Sequence, residues 1–384
     1  MQLCACDQRL QTLEKGRGIK MIRIGIVGTG DTIGIAKLHI NAFKLIEEAT
    51  ISALYDYLPE RADKYKDEFK LDEAKVCVSY EELLEHSDAV IICTPNFTHD
   101  DLIVRALNAG KHVLCEKPFG NNAKECEAGL RLSKVTDKIC MLGLCYRNIP
   151  AMRYIKKMID DGTLGEIYYI RQSQGGNRIA APEVKLEWRM QEDLSGPGAI
   201  ADFGSHMLDL ADMLTSEKSG KITEVSCMEH TFIDNRQVIG KEMYGPVTNG
   251  DVAVFHAKTE KGTLLSFTAS RIGAHHTLDI YGSGGSVIFR GEKPFEITFL
   301  KKEINGAYEK EAETLQVPKE LYMEDDKVPE VPFLINFYLQ GKEFVDAISG
   351  KRESGSGFEH GIYIQKLIDA LQESAKTGKM LKVD

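Results

Sequence analysis

Residues Ile22-Arg23-Ile24-Gly25-Ile26-Val27-Gly28-Thr29-Gly30 decide the fold of this chain. An apolar run ends in two closely spaced glycines, and Ile33 to Ile46 then reads as a helix. Strand, glycine turn and helix form the context of a dinucleotide-binding fingerprint, because glycines let the backbone approach a pyrophosphate at a helix start. The third glycine of the usual pattern is replaced by Ile33, with Gly34 one residue later. On this stretch alone, a plain glycine turn explains the sequence equally well. A second strand, Ile51 to Asp56, adds weight: it ends in an acid 28 residues after Gly28. A carboxylate there accepts ribose hydroxyls and favours NAD. Arg61 leaves NADP open, since an arginine can receive a 2′-phosphate.

Outward from this unit the alternation continues. Helices are expected over Pro59 to Phe69, Tyr80 to His86, His99 to Leu107 and Asn121 to Val135. Strands are expected over Val76 to Val78, Ala89 to Cys93, Lys111 to Leu114 and Lys138 to Cys145. Alternating strands and helices predict a doubly wound parallel sheet, here an N-terminal domain over residues 20–146. After a helix at Pro150 to Asp160, strand patterns follow one another: Glu166 to Gln174, Ile222 to Ile233, Asp251 to Lys258, Thr263 to Arg271, Leu278 to Tyr281 and Val287 to Phe289. They predict an α+β domain over residues 147–384 with a largely antiparallel sheet. The class is therefore α/β plus α+β. Residues 301–332, charged and spaced by prolines, read as irregular. Phe333 to Ile348 and Gly361 to Ser374 read as closing helices, free to pack back on the first domain. Residues 1–19 lack apolar periodicity and read as a disordered tail.

The net charge of −10, from 48 basic and 58 acidic residues, argues against nucleic acid or an anionic membrane as a partner, since both need a concentrated basic face. No apolar run approaches the ~20 residues of a membrane span. The nine cysteines are scattered, several within apolar strands. That usage suits reduced thiols in the cytoplasm rather than a disulfide framework. No group of histidines and cysteines has metal-ligand spacing, so no metal is expected.

Three constellations carry chemistry. Glu116-Lys117-Pro118 ends the strand after Gly110 and sets a lysine at a sheet's carboxyl edge, where open α/β sheets bind ligands. Asp202 and His206, behind Ser195-Gly196-Pro197-Gly198, stand four apart, one turn apart on a helix expected from Ala199. At that distance an acid can orient an imidazole. Trp188-Arg189 contains the sole tryptophan, and the pair suits stacking and anion contact. Each has a bland alternative: a solvated lysine, a capping acid with a core histidine, a core tryptophan. For His99 the packing role is the stronger expectation. Arg271, His275 and His276 suit a polyol site or the surface equally.

In their order, these motifs resemble the Gfo/Idh/MocA oxidoreductases. The resemblance rests on Gly28-x-Gly30, Thr94-Pro95-Asn96-Phe97-Thr98-His99, Ala109-Gly110-Lys111-His112-Val113 leading to Glu116-Lys117-Pro118, and Gly-Pro-Gly with Asp202-x-x-x-His206. It covers about residues 20 to 380 and implies an N-terminal Rossmann domain (20–146) and a large open, mostly antiparallel sheet in the C-terminal α+β domain (147–384). It implies NAD-dependent transfer of hydride to or from a secondary hydroxyl of a cyclic polyol, sugar or glycoside. It also implies cofactor contacts from Gly28, Thr29, Gly30, Thr32, Ile33, Asp56, Arg61, Thr94, Pro95, Asn96, His99, Glu116, Trp188 and Arg189. Lys117, Asp202 and His206 are then catalytic, with Tyr146 and Arg147 beside them at the substrate. His206 would remove the hydroxyl proton, Asp202 would orient it and Lys117 would hold the oxygen, with Lys117 as the base an open variant. A homodimer or homotetramer built on the second sheet is also implied. Rival expectations are a glycosidase or lyase that recycles bound NAD, a hydride exchanger between sugars, and a sugar-sensing regulator without chemistry.

Overall fold

A computed structural model describes residues 21–30, 33–273, 275–303, 311–323, 328–329 and 331–383. The expected tail and Thr32 lie outside them.

The first sheet has six parallel strands in the order β3-β2-β1-β4-β5-β6: β1 Ile22–Val27, β2 Ala49–Tyr55, β3 Lys75–Val76, β4 Ala89–Ile92, β5 His112–Glu116 and β6 Cys140–Gly143. Strand β4 is buried at every position, as a strand covered on both faces must be, so it reads as an unbroken apolar run. The order reverses between β1 and β4, and the chain leaves both strands at the same edge. A crevice opens there.

The second sheet has nine strands, with antiparallel pairing throughout except β7 beside β12. Its strands are β7 Ile167–Gly175, β8 Ile222–His230, β11 Val252–Thr259, β12 Leu264–Ser270, β13 Thr277–Gly282, β14 Gly285–Arg290, β15 Glu296–Lys301, β16 Glu313–Gln316 and β17 Leu381–Lys382. One face packs on helices Pro150–Asp160, Ser205–Ser219 and Phe358–Thr377. The other face is open and shows Met228, Val254 and Leu264 and a stacked Tyr169–Tyr281 pair at 5.8 Å. A small hairpin, β9 Asn235–Gln237 with β10 Tyr244–Pro246, stands apart.

Three expectations are corrected. Residues 301–332 are not all irregular, because β16 pairs with β15. The helix expected from Asn121 becomes α-helical only over Glu127–Ser133. The run from Ala199 is not a uniform α-helix: Ile200–Gly204 forms a π-helical turn before the α-helix Ser205–Ser219. Helix Pro332–Ile348 packs against Ile35–Phe43 and shares the core of the first sheet through Ile335, Phe337 and Phe344.

Candidate active site

The crevice at the carboxyl edge of the first sheet has a volume of about 610 Å³ and is lined by Gly28, Gly30, Ile33, Asp56, Arg61, Thr94, Pro95, Trp188 and Arg189. Gly28 has φ 92, and a Cβ there would lie 2.7 Å from the Thr94 amide. Only glycine lets the turn after β1 pass this close to the loop after β4. Thr29 is fully buried behind the turn. Its N–H donates to Asp56 Oδ2 at 2.8 Å and its hydroxyl lies 3.3 Å from the same oxygen. Leu58 N–H donates to Asp56 Oδ1 at 3.1 Å, and Arg61 stands 3.7 Å from that atom. Asp56 therefore both ties the glycine loop down and lines the crevice. Thr29 does not reach the crevice, which corrects its expected role as a contact.

His99 has the packing place expected of it from the residues alone, and not a place in the lining of the crevice. Its ring nitrogens lie 3.0 Å from the carbonyl oxygens of Thr94 and Pro118. It is buried and braces the loop after β4 against Glu116-Lys117-Pro118, where the Lys117–Pro118 peptide is cis.

A second recess of about 280 Å³ adjoins the crevice and shares Ile33, Thr94, Trp188 and Arg189 with it. Asn96, Glu116, Lys117, Tyr146, Asp202 and His206 line it, together with Arg178, Phe203, Arg271, Phe333 and Phe337. Lys117 Nζ donates to the Asp202 carbonyl oxygen at 2.7 Å and to Asp202 Oδ1 at 3.1 Å. Arg271 Nε stands 4.0 Å from Asp202 Oδ2. Asp202 thus pairs with the lysine and not with His206. The π-helical turn removes the one-turn stacking that an α-helix gives to residues four apart. His206 instead stacks on Tyr146 with ring centroids 4.1 Å apart. Its Nδ1 is buried without a partner, so Nε2 is the nitrogen left to face the recess.

Burial pushes the Asp202 carboxyl up, but Lys117, Arg189 and Arg271 together outweigh it and hold the group well below the usual carboxylate range. Burial, then the charge of Lys117, holds the His206 imidazole well below its ordinary value. His206 is therefore neutral at pH 7 and able to accept a proton, while Asp202 is a weak base beside an ammonium. Burial lowers His276 to about 4. It lies 5.5 Å from the Tyr146 ring, while His275 is exposed.

Arg147 is not at the recess. Its guanidinium pairs with the buried Asp209, which also accepts from His360 at 2.7 Å. The arginine next to Tyr146 points the other way because the chain turns there (Cys145–Asn148) before the helix at Pro150. Four contributors escaped the sequence reading. His39 Nε2 lies 2.7 Å from Glu116 Oε1 and fixes the acid before Lys117. Arg178 enters on a loop, and Phe333 and Phe337 come from a helix over 200 residues downstream of Lys117. Only the His39 spacing, on the helix behind the glycine turn, offered a signal.

The residues fit a dinucleotide. The glycine turn leaves room for backbone contact, Asp56 closes one end, and the Arg189 Nε between crevice and recess is buried without a partner. The fold and this crevice together define a dinucleotide-binding oxidoreductase. Residues 22–144 match the model of the Gfo/Idh/MocA oxidoreductase family, NAD-binding Rossmann fold, and residues 152–288 match that of the Gfo/Idh/MocA C-terminal domain. The chain belongs to this family. A levoglucosan dehydrogenase from Pseudarthrobacter phenanthrenivorans is 30% identical over 225 residues, which cover 54% of this chain and 56% of that protein. An inositol 2-dehydrogenase from Rhizobium meliloti is 28% identical over 276 residues, covering 72% of this chain and 78% of the relative. The solved structure of a levoglucosan dehydrogenase with NADH and L-sorbose superposes with a TM-score of 0.85 at 23% identity, covering 95% of this chain and 99% of that one. Among the described residues no helix is long and apolar enough to cross a membrane.

Proposed function

We propose that this chain is an NAD-dependent dehydrogenase that oxidises a secondary hydroxyl of a cyclic polyol, sugar or glycoside to the ketone. The observation that carries this is a neutral, recess-facing His206 beside a Lys117 held on Asp202, in a recess continuous with the dinucleotide crevice. Gly28, Gly30, Asp56, Thr94, Trp188 and Arg189 would hold NAD, which when bound supplies the two-electron acceptor. His206 Nε2 takes the hydroxyl proton. Lys117 donates to the same oxygen and stabilises the developing negative charge, a role in which one donor is worth ~10²–10³ in rate. Asp202 aims the ammonium rather than the imidazole. Arg61 is exposed enough to meet a 2′-phosphate, but Asp56 beneath it repels one, so NAD is preferred.

Levoglucosan and inositol in the names of the relatives support a ring polyol as substrate. We further propose a cytoplasmic homodimer or homotetramer joined through the open face of the second sheet, where Met228 is 72% and Leu264 54% exposed. Light scattering tests the assembly: a monomer at all concentrations sinks it. A panel of inositols, aldoses and glycosides, each followed by NADH absorbance with NAD and with NADP, tests the activity. Failure of every member with both cofactors removes the proposal.

A further inference from the structure

Several polar side chains of the recess around Lys117 are already engaged inside the protein. Asn96 donates to Asn121 at 2.7 Å, and Arg178 donates to both oxygens of Glu187 at 2.7 and 2.8 Å. Arg271 donates to Asn249 at 2.9 Å and to the Arg189 carbonyl oxygen at 2.8 Å. Glu116 is taken by His39. Open polar capacity is gathered around Lys117, Asp202 Oδ2, His206 and Arg189.

Four aromatic side chains, Tyr146, Phe203, Phe333 and Phe337, line the recess beside the aliphatic Ile33, Ile35, Leu38 and Ile179. Phe333 is 43% exposed. It meets Tyr146 edge-on at 6.0 Å and Phe337 at 5.6 Å. Packing does not account for a half-open phenylalanine at a site mouth, backed by two further rings. A single sugar ring can lay one C–H face on one aromatic side chain. A polyol with a hydroxyl on every carbon would leave several hydroxyls against these rings without partners, and each such hydroxyl weakens binding. A flat ring attached to the sugar matches the wall, because aromatic rings pair edge-to-face or offset with one another.

We infer that the preferred substrate is a glycoside carrying an aromatic aglycone. The sugar hydroxyls meet Lys117 and His206, and the aglycone ring lies against Phe333 at the mouth. This rests on the dehydrogenase reading above and narrows it. Phenyl and methyl glucosides of both anomers, with myo-inositol, are compared by NADH formation. Binding is read separately by the fluorescence of Trp188, the sole tryptophan of the chain, which lines the recess. The expected kcat/KM for a phenyl glucoside exceeds that of its methyl counterpart by about tenfold or more, with the same order in the fluorescence titration, and Phe333→Ala brings the ratio toward one. Methyl glucoside or myo-inositol matching or exceeding the phenyl glucosides overturns the inference. If nothing yields NADH while phenyl glucoside alone saturates the Trp188 signal, the aglycone site stands and the dehydrogenase reading falls. If phenyl glucosides neither bind nor react, the aglycone site falls as well.

Discussion

Lys117→Met separates the two roles open to this lysine. The substitution keeps the stem and removes the ammonium that donates to the Asp202 backbone and carboxylate. Asp202 keeps Arg271 at 4.0 Å, so the acid is not stranded and the fold should hold. If Lys117 only holds the reacting oxygen, its loss costs ~10²–10³ in kcat, or about 3–4 kcal/mol of transition-state stabilisation. The pH profile then discriminates. Catalysis needs neutral His206, whose value burial and the charge of Lys117 hold well below 6.5. The acid limb of kcat/KM in the native enzyme therefore lies below pH 6.5. Removing the Lys117 charge removes the second cause, so the limb of the variant must move to higher pH. NADH formation from a reactive glycoside, measured from pH 5 to 9 in both forms, gives the answer. A variant whose acid limb stays in place, or disappears, refutes the assignment of His206 as base.

Asp56→Ala strips the acceptor from the Thr29 and Leu58 amides and should raise the KM for NAD about 10-fold or more while narrowing the preference over NADP; an unchanged cofactor ratio argues against Asp56 as the selector. Arg147→Met breaks a buried pair and should cost about 3 kcal/mol or more in urea unfolding, with the substrate KM unaltered; a raised KM would return Arg147 to the site. His276 has a folded value of about 4 against 6.5 unfolded. The unfolded chain therefore binds the extra proton first, and stability present above pH 6.5 is lost as pH falls toward 4, by up to about 3 kcal/mol. His276→Gln should flatten that part of the melting-temperature curve, and an identical slope in both proteins removes His276 as a cause.

The first sheet was legible because its strands are covered on both faces, so burial wrote itself as apolar runs such as Ala89 to Ile92. Lys117, Asp202 and His206 were legible as a set of motifs, but their pairing was not. Residue spacing carries the α-helical period, and the turn at Ile200–Gly204 departs from it, sending Asp202 to Lys117. Arg147 was misplaced because its partners Asp209 and His360 are distant in sequence and leave no local mark. Strand β16 hid among charges because it lies at the sheet's edge, exposed or half-buried at each residue. Phe333 reads as an ordinary core position of an amphipathic helix, and nothing in a 3.6-residue period distinguishes a ring packed in a core, as Phe337 is, from one half-open beside a recess.

Helix Pro332–Ile348 also bears on how the protein is made. A ribosome releases β6, ending at Gly143, 189 residues before Pro332. At ~5–20 residues per second that is a wait of roughly 10–40 s. Throughout it, Ile24, Ile40 and Phe43 lack the neighbours that complete their core. The nascent first domain carries an apolar flank that waits for helix Pro332–Ile348 to cover it. The same helix brings Phe333 and Phe337, so that side of the recess is among the last parts to form.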